Sequence, residues 1–382
     1  ALDFQKEIVK IHTIFGGRNP HPNWVVGGMP CSINVDEAGA VGTVNMVWLN
    51  MVKDIIDQTI AFTDQVYLPD LTAIASFYKE WAGIGGGVTN YVSVGEYPDN
   101  GQWRDVDSLY FPRGVIFDRN LSEVLPYDHE KVREYITSSW YEYEEGDDAG
   151  LHPWDGETTP RYTGPQPPWT YLQDHDKYTW MKSPRYEDRP VEVGPLARML
   201  VSYASGHEDV QEVVNEALGR LEVGPEALFS TLGRTAARGA ETVLLARRLE
   251  SWFDALVSRI RAGDTTTFNG ERWDPSTWPA SARGYGYLEA ARGALGHWVQ
   301  IDGGQISRYQ CVVPSTWNCS PRDAQGASGP YEASLMDNHP LVDPERPLEI
   351  LRTIHSFDPC MACGVHVLDA QGREVTRVRV RG

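Results

Sequence analysis

The sequence predicts an α+β chain, mainly helical, with a multihelical core and smaller strand-and-loop regions. Two observations predict this. Apolar residues recur at i+3 and i+4 spacing in the first eighty positions and again beyond residue 193, as helices with a buried face require. The stretch between them carries short alternating runs dense in Gly, Pro, Trp and Tyr, as strands and loops require. At 382 residues, with ordinary apolar content, the chain can bury a substantial core as one large or two moderate domains. It shows no internal repeat.

In order, Phe15-Gly16-Gly17-Arg18-Asn19-Pro20-His21-Pro22 confines the backbone tightly and reads as a rigid buried loop. The runs Val35–Ile60 and Leu71–Trp81 read as buried helices. Gly83-Ile84-Gly85-Gly86-Gly87 is a turn, since no Lys-Ser/Thr follows it and no dinucleotide fingerprint fits. Alternation such as Tyr91-Val92-Ser93-Val94 marks strands, and the aromatic, Pro-rich piece from His152 to Tyr186 reads as an ordered surface excursion. Beyond Val193, helices return. Val210, Val213, Val214, Ala217 and Leu218 share one face, and Leu245, Leu249, Trp252, Leu256 and Ile260 share another, with Gly263 placed as a C-cap. Gln300 to Gly382 reads as strands and loops carrying most of the unusual polar residues.

The net charge of -19 excludes a nucleic-acid partner, whose phosphates such a surface repels. No apolar run approaches bilayer length, and no basic-then-apolar signal opens the chain. Five cysteines, an odd number in a long chain, make no disulfide framework, so metal ligation or buried free thiol is the default.

The most informative segment is Asp358-Pro359-Cys360-Met361-Ala362-Cys363-Gly364-Val365-His366. Two thiols three positions apart, with an imidazole three further on, can converge on one soft metal. By itself the spacing leaves a redox pair, half a structural zinc site and two core cysteines open as well. Two other segments hold candidates. Arg292 stands among small residues in Glu289–Trp298, where its guanidinium can enter a pocket or solvate a strand end. Cys311 to Asp323 crowds hydroxyls, an amide and two thiols beside apolar residues.

These segments together resemble one family, the large subunit of nickel-iron hydrogenases, and within it the membrane-bound uptake type. The residues carrying the resemblance are F-G-G-R-N-P-H-P followed by V-G-G-M, Lys182-Ser183-Pro184-Arg185-Tyr186 followed by Val191-Glu192-Val193-Gly194-Pro195-Leu196-Ala197-Arg198, R-G-A-L-G-H-W, V-P-S-T-W-N-x-S-P-R-D and D-P-C-x-x-C-x-x-H. They occur in the family's order across almost the whole chain. The resemblance implies that family's fold, with regions at 1–82 (N-terminal loop and helices), 83–192 (strands and loops), 193–366 (helices and metal site) and 367–382 (a cleavable extension).

It also implies roles. Cys360 resembles a terminal thiolate on nickel and the proton acceptor, and Cys363 the thiolate bridging nickel to iron. Arg292 and Asp358 resemble the polar canopy over the open metal position. Ser315, with Arg292, resembles the donors to cyanide on an iron that also carries carbon monoxide, and Leu295, Val313 and Pro314 resemble its apolar lining. His366, with the backbone carbonyl of Cys311, resembles the ligands of a magnesium ion. The implied reaction is reversible heterolysis of dihydrogen to two protons and two electrons. The electrons pass to an iron-sulfur small subunit and onward to a membrane b-type cytochrome, with the complex on the periplasmic side of the membrane. This chain has no cysteine set for such clusters itself. A noncatalytic complex-I-type relative and a hydrogen-sensing regulator are the competing expectations. Cys360, Cys363 and His366 speak against the first, and the extension after His366 against the second.

Two departures from the family pattern and one further feature accompany the resemblance. No second C-x-x-C, of R-I-C-G-V-C type, is present, so the chain beginning at Ala1 is expected to be an inactive fragment of a longer subunit. Ala291 stands where the family usually has Pro, and Cys319 where a small residue is common. The sixteen residues from Val367 to Gly382 resemble the extension that a maturation endopeptidase removes after nickel-insertion proteins have acted, which implies a cytoplasmic precursor.

Overall fold

The computed structural model describes residues 2–37, 40–164, 177–336, 339–360, 364–368 and 374–379. It has the expected mixture of helix and strand, with helices predominating, in two compact units: 1–74 with 239–280, and 75–238 with 281–382.

The first unit is helical. Its principal helix, Met46–Phe62, buries Leu49, Val52, Ile55, Ile56 and Thr59 along one face. It starts eleven residues later than the apolar run from Val35 suggests. Gly42 adopts φ 80°, and the Asn45 side chain caps the helix by accepting from the Val47 and Trp48 amides. The residues of the long helix Thr231–Arg261 from Gly239 onward also belong here. Leu245, Leu249, Trp252, Leu256 and Ile260 are all half-buried along it. Gly263 ends it in the left-handed conformation at φ 85°, and its amide donates to the Ile260 carbonyl.

The second unit surrounds a core that includes Val92, Val94, Val115, Val132, Trp154, Tyr186, Val193, Trp298, Val312 and Trp317. Tyr91–Pro98 pairs antiparallel with Leu109–Ile116, and Val132–Tyr135 with Ser183–Tyr186. Ala282–Ala290, Gly293–Asp302 and Gln305–Val312 form a three-stranded meander. The helix Pro195–Ala204 is almost wholly buried, while Glu208–Leu221 buries Val210, Val213, Val214, Ala217 and Leu221. Gly85 and Gly87 take positive φ, so the glycine run is a turn, and its carbonyls at Gly85 and Gly86 accept from Arg234.

Further expectations need correction. Phe15–Pro22 is not a buried loop: Phe15 and Gly16 end the helix Lys10–Gly16, and residues 17–21 are exposed, as suits their polar and Pro content. The stretch His152–Tyr186 is not a surface excursion at its ends. His152 and Trp154 are buried, and Ser183–Tyr186 is a buried strand, because cross-strand pairing and a counter-ion for Arg185 offset the desolvation; residues 165–176 lie outside the described residues. Beyond Gln300 the chain also holds the short helices Pro314–Asn318, Pro330–Leu335 and Leu348–Ser356. Two of them open on proline, whose fixed φ suits a first turn, so residues that punctuate loops here begin helices. Among the described residues no helix is long and apolar enough to cross a membrane.

Glu96 is a buried carboxyl beside Glu289 and Arg198. Burial raises it from its ordinary 4.5 to about 7; the neighbouring Glu289 charge adds to this, and amide donors and Arg198 oppose it. Between those two values the folded protein keeps a proton that the unfolded chain releases, so this contribution to stability is complete below pH 4.5 and lost as pH rises to about 7. Glu96→Gln is expected to remove that slope. The gap in Tm between wild type and variant should change by roughly 3 °C or more between pH 5 and pH 8. Parallel Tm profiles across that range would contradict the placement.

Candidate metal centre

Three segments far apart in sequence meet in the second unit. The first is a hairpin tip. Ala290 pairs with Gly293 across the antiparallel strands, leaving Ala291 and Arg292 as a two-residue turn. Gly293 adopts φ 132°, and a Cβ there would stand 2.5 Å from the Gly194 amide nitrogen, so only glycine permits this close backbone approach. The second is the start of the Pro314–Asn318 helix, where Ser315 is buried directly after the proline. The third follows the Leu348–Ser356 helix. Phe357 is buried, with its ring 4.7 Å from Tyr331 and 3.8 Å beneath the Arg234 guanidinium. Asp358 then turns left-handed at φ 55° and donates its amide to the His355 carbonyl, as a helix C-terminus closes. Anchoring Phe357 fixes the direction in which Asp358 and Cys360 leave the helix.

Arg292 Nε donates to the Asp358 carbonyl at 2.8 Å and stands 3.3 Å from its Oδ2, while Nη2 reaches Oδ1 at 3.4 Å. The Cys360 amide donates to Ser315 Oγ at 3.3 Å. A hydroxyl that accepts in this way keeps its own proton to donate elsewhere. Thus Arg292, Ser315, Asp358 and Cys360, which span 68 positions, form one constellation. Both partners of the ion pair are more than a third exposed, so it contributes at most about 1 kcal/mol to folding. Its consequence is orientation of a guanidinium and a carboxylate two residues before Cys360. Cys360 is exposed.

Leu295 is half-buried on the strand Gly293–Asp302 opposite Leu288, Pro314 is buried and Val313 is exposed. Cys311 lies opposite His297, with Sγ 4.0 Å from Nε2. Burial, with a smaller contribution from Glu134, raises its thiol pKa, so the side chain is a poor thiolate. Cys363 lies outside the described residues. His366 is on the strand Gly364–Leu368, opposite Arg377.

Three buried arginines hold the frame; Arg185 and Arg198 stand in the sequence motifs without roles, and Arg234 in none of them. Arg185, fully buried, pairs with Asp323 and donates to the Ser320 hydroxyl and to the carbonyls of Pro321 and Ala327, fixing the segment that follows Ser315. Arg234 pairs with Glu192 at 2.7 Å, and Arg198 with Glu289 at 2.7 Å. Glu192 is bracketed by Val191 and Val193, where a charge without a counter-ion would be costly, and that was the signal available.

A second group of potential donors, His129, Glu130 and His152, lies within 4.8 Å. Burial lowers both imidazole pKa values. His152 Nδ1 accepts from the Trp154 amide at 3.2 Å, which puts the ring proton on Nε2, facing the His129 carbonyl at 3.1 Å. Both nitrogens are engaged, leaving His152 no lone pair for a cation.

The chemistry of the donors therefore favours the Cys360 constellation. An accessible thiol, whose backbone is held by the Ser315 hydroxyl two residues after a carboxylate paired with a guanidinium, fits a soft metal held by thiolate.

Comparison with known proteins shows the family. The family model for nickel-dependent hydrogenase matches residues 1–366. The chain is 52% identical to the uptake hydrogenase large subunit of Bradyrhizobium diazoefficiens, and 46% identical to the hydrogenase-1 large chain of Escherichia coli K12. Each match covers all of this chain and 65% of the relative, so the chain spans about two thirds of their length. Among solved structures, the Ni-Fe-Se hydrogenase of D. vulgaris Hildenborough superposes with a TM-score of 0.72 at 30% identity, covering 94% of this chain and 67% of that one. That of Desulfomicrobium baculatum gives 0.73 at 28%, covering 94% and 66%.

Proposed function

This chain belongs to the nickel-dependent hydrogenase family, and on that premise we propose that it forms the catalytic large subunit of an uptake hydrogenase, oxidising dihydrogen to two protons and two electrons. The observation that carries the reading is the pairing of Arg292 with Asp358, two residues before Cys360, and of Ser315 with the Cys360 amide, inside a motif that closes the family match at His366. Cys360 and Cys363 would hold nickel in a nickel-iron centre whose iron bears cyanide and carbon monoxide, and His366 with the Cys311 carbonyl would hold magnesium. When bound, the centre supplies an open coordination position and the capacity to take up two electrons.

The chain's own residues do the rest. Cys360, as thiolate, is the base that takes the proton, and Asp358 beside it is the next acceptor. Arg292 orients the Asp358 carboxylate and presents N–H donors to the reacting position. Ser315 accepts from the Cys360 amide and so keeps its hydroxyl proton available to donate. Leu295, Val313 and Pro314 would supply the apolar lining on one side.

Electrons leave through an iron-sulfur small subunit and then a b-type cytochrome, which places the complex at the periplasmic face of the membrane. The sequence after His366, beyond the family match, is a maturation extension for an endopeptidase that acts after nickel insertion.

The test is hydrogen-dependent reduction of an artificial acceptor by the complex purified from its native host. Turnover with stoichiometric nickel is expected. A folded, nickel-containing complex that neither reduces the acceptor nor exchanges hydrogen isotopes would overturn the catalytic reading.

A further inference from the structure

Arg292 acts from the two-residue turn between Ala290 and Gly293. Its position is set from behind. The helix Pro195–Ala204 begins against it: a Cβ on Gly194 would stand 2.8 Å from the Arg292 carbonyl, so the two backbones touch. One turn into that helix, Arg198 is 1% exposed. Its Nη1 donates to Glu289 Oε2 at 2.7 Å and to the Ala290 carbonyl at 3.0 Å, and Nη2 donates to the Ala291 carbonyl at 3.1 Å. Those are the last two carbonyls before Arg292. Glu289 is held in turn, with Oε1 accepting from the Val94 amide at 2.7 Å and its own amide donating to Glu96.

We propose that Arg198 is a positioning residue for Arg292: by gripping the Ala290 and Ala291 carbonyls it fixes the turn from which the Arg292 guanidinium reaches Asp358. This rests on the hydrogenase reading. A planar fork with several donors can span a carboxylate and two carbonyls at once, which a single ammonium nitrogen cannot. The grip is stiff because it is buried and multiply bonded, whereas the Arg292–Asp358 contact it serves is partly exposed and weak.

The experiment is a double-mutant cycle in the complex purified from its host: wild type, Arg198→Lys, Arg292→Lys and the double variant. Nickel content, Tm, kcat and KM for hydrogen are measured for each. Misplacing a catalytic guanidinium should cost Arg198→Lys about 10- to 100-fold in kcat, with nickel and KM within twofold of wild type. In the Arg292→Lys background the same change should cost less than twofold, since the group being positioned is already gone. A crystal structure of Arg198→Lys should show Arg292 Nε beyond 3.5 Å from the Asp358 carbonyl.

Because Arg198→Lys can leave Glu289 badly paired and the fold impaired, Arg198→Met with Glu289→Gln is the second variant. It removes the grip while leaving no buried unpaired charge, and should show the same kcat loss. Equal losses in both backgrounds, or unchanged kcat in either Arg198 variant, would mean a purely structural role. Wild type lacking turnover would instead sink the parent reading, which separates the two failures.

Discussion

Cys360→Ser, in the subunit as its host makes and matures it, is expected to lose nickel and hydrogen turnover together, both to background. The thiol has no other role in the described structure that could explain such a loss. It is exposed, and the neighbouring contact runs through its backbone amide to Ser315, which serine at 360 would keep. Fold and Tm should therefore stay within about 2 °C, the range of surface substitutions. What changes is donor chemistry. A metal deprotonates a coordinating thiol outright, whereas a serine hydroxyl remains protonated and hard, a poor match for a soft metal. Elemental analysis of the purified variant measures this directly. Wild-type nickel with wild-type turnover would remove Cys360 from the ligand set.

Arg292→Lys should reduce turnover about a hundredfold while nickel content, KM and Tm stay near wild type. The reason is geometric. The guanidinium uses Nε toward both the Asp358 carbonyl and Oδ2, and Nη2 toward Oδ1, so it orients the carboxylate as a fork and still has N–H donors to spare. Lysine brings one nitrogen to the same place and can hold the charge but not the orientation. Since the exposed pair adds little to folding, a loss of activity without a loss of stability is the signature expected. Unchanged kcat would take Arg292 out of the mechanism.

Much of the fold is legible in local pattern because local physics decides it. The face Val210, Val213, Val214 and Ala217 is buried as the 3.6-residue period requires, although Leu221 rather than Leu218 completes it. Gly263 ends its helix where a left-handed residue is needed. Boundaries were less legible. The apolar residues from Val35 to Val44 extend the pattern of the helix at Met46, yet Asn45 caps its start. Short helices such as Leu348–Ser356 sit in a proline-rich stretch that reads as loop, and packing decides their form.

The site divides in the same way. Its chemistry is legible in part: the cysteine spacing points to a soft metal from residue type, whereas the roles at 292, 315 and 358 come from the resemblance of the ordered motifs to the family. The frame is not legible, because Arg198–Glu289 and Arg185–Asp323 join residues 91 and 138 positions apart, and no local period reports such pairs. A buried arginine shows in sequence only as a charge in apolar company, and its partner appears only when the chain is folded.

The central claim is that the thiol at the end of this constellation binds nickel. Anomalous diffraction at the nickel edge, on crystals of the complex purified from its host, tests it most directly. The expected result is a single strong peak at bonding distance, about 2–2.5 Å, from Cys360 Sγ, facing Arg292 and Asp358. Nickel density elsewhere, such as beside His129 and Glu130, with none at Cys360, would contradict it.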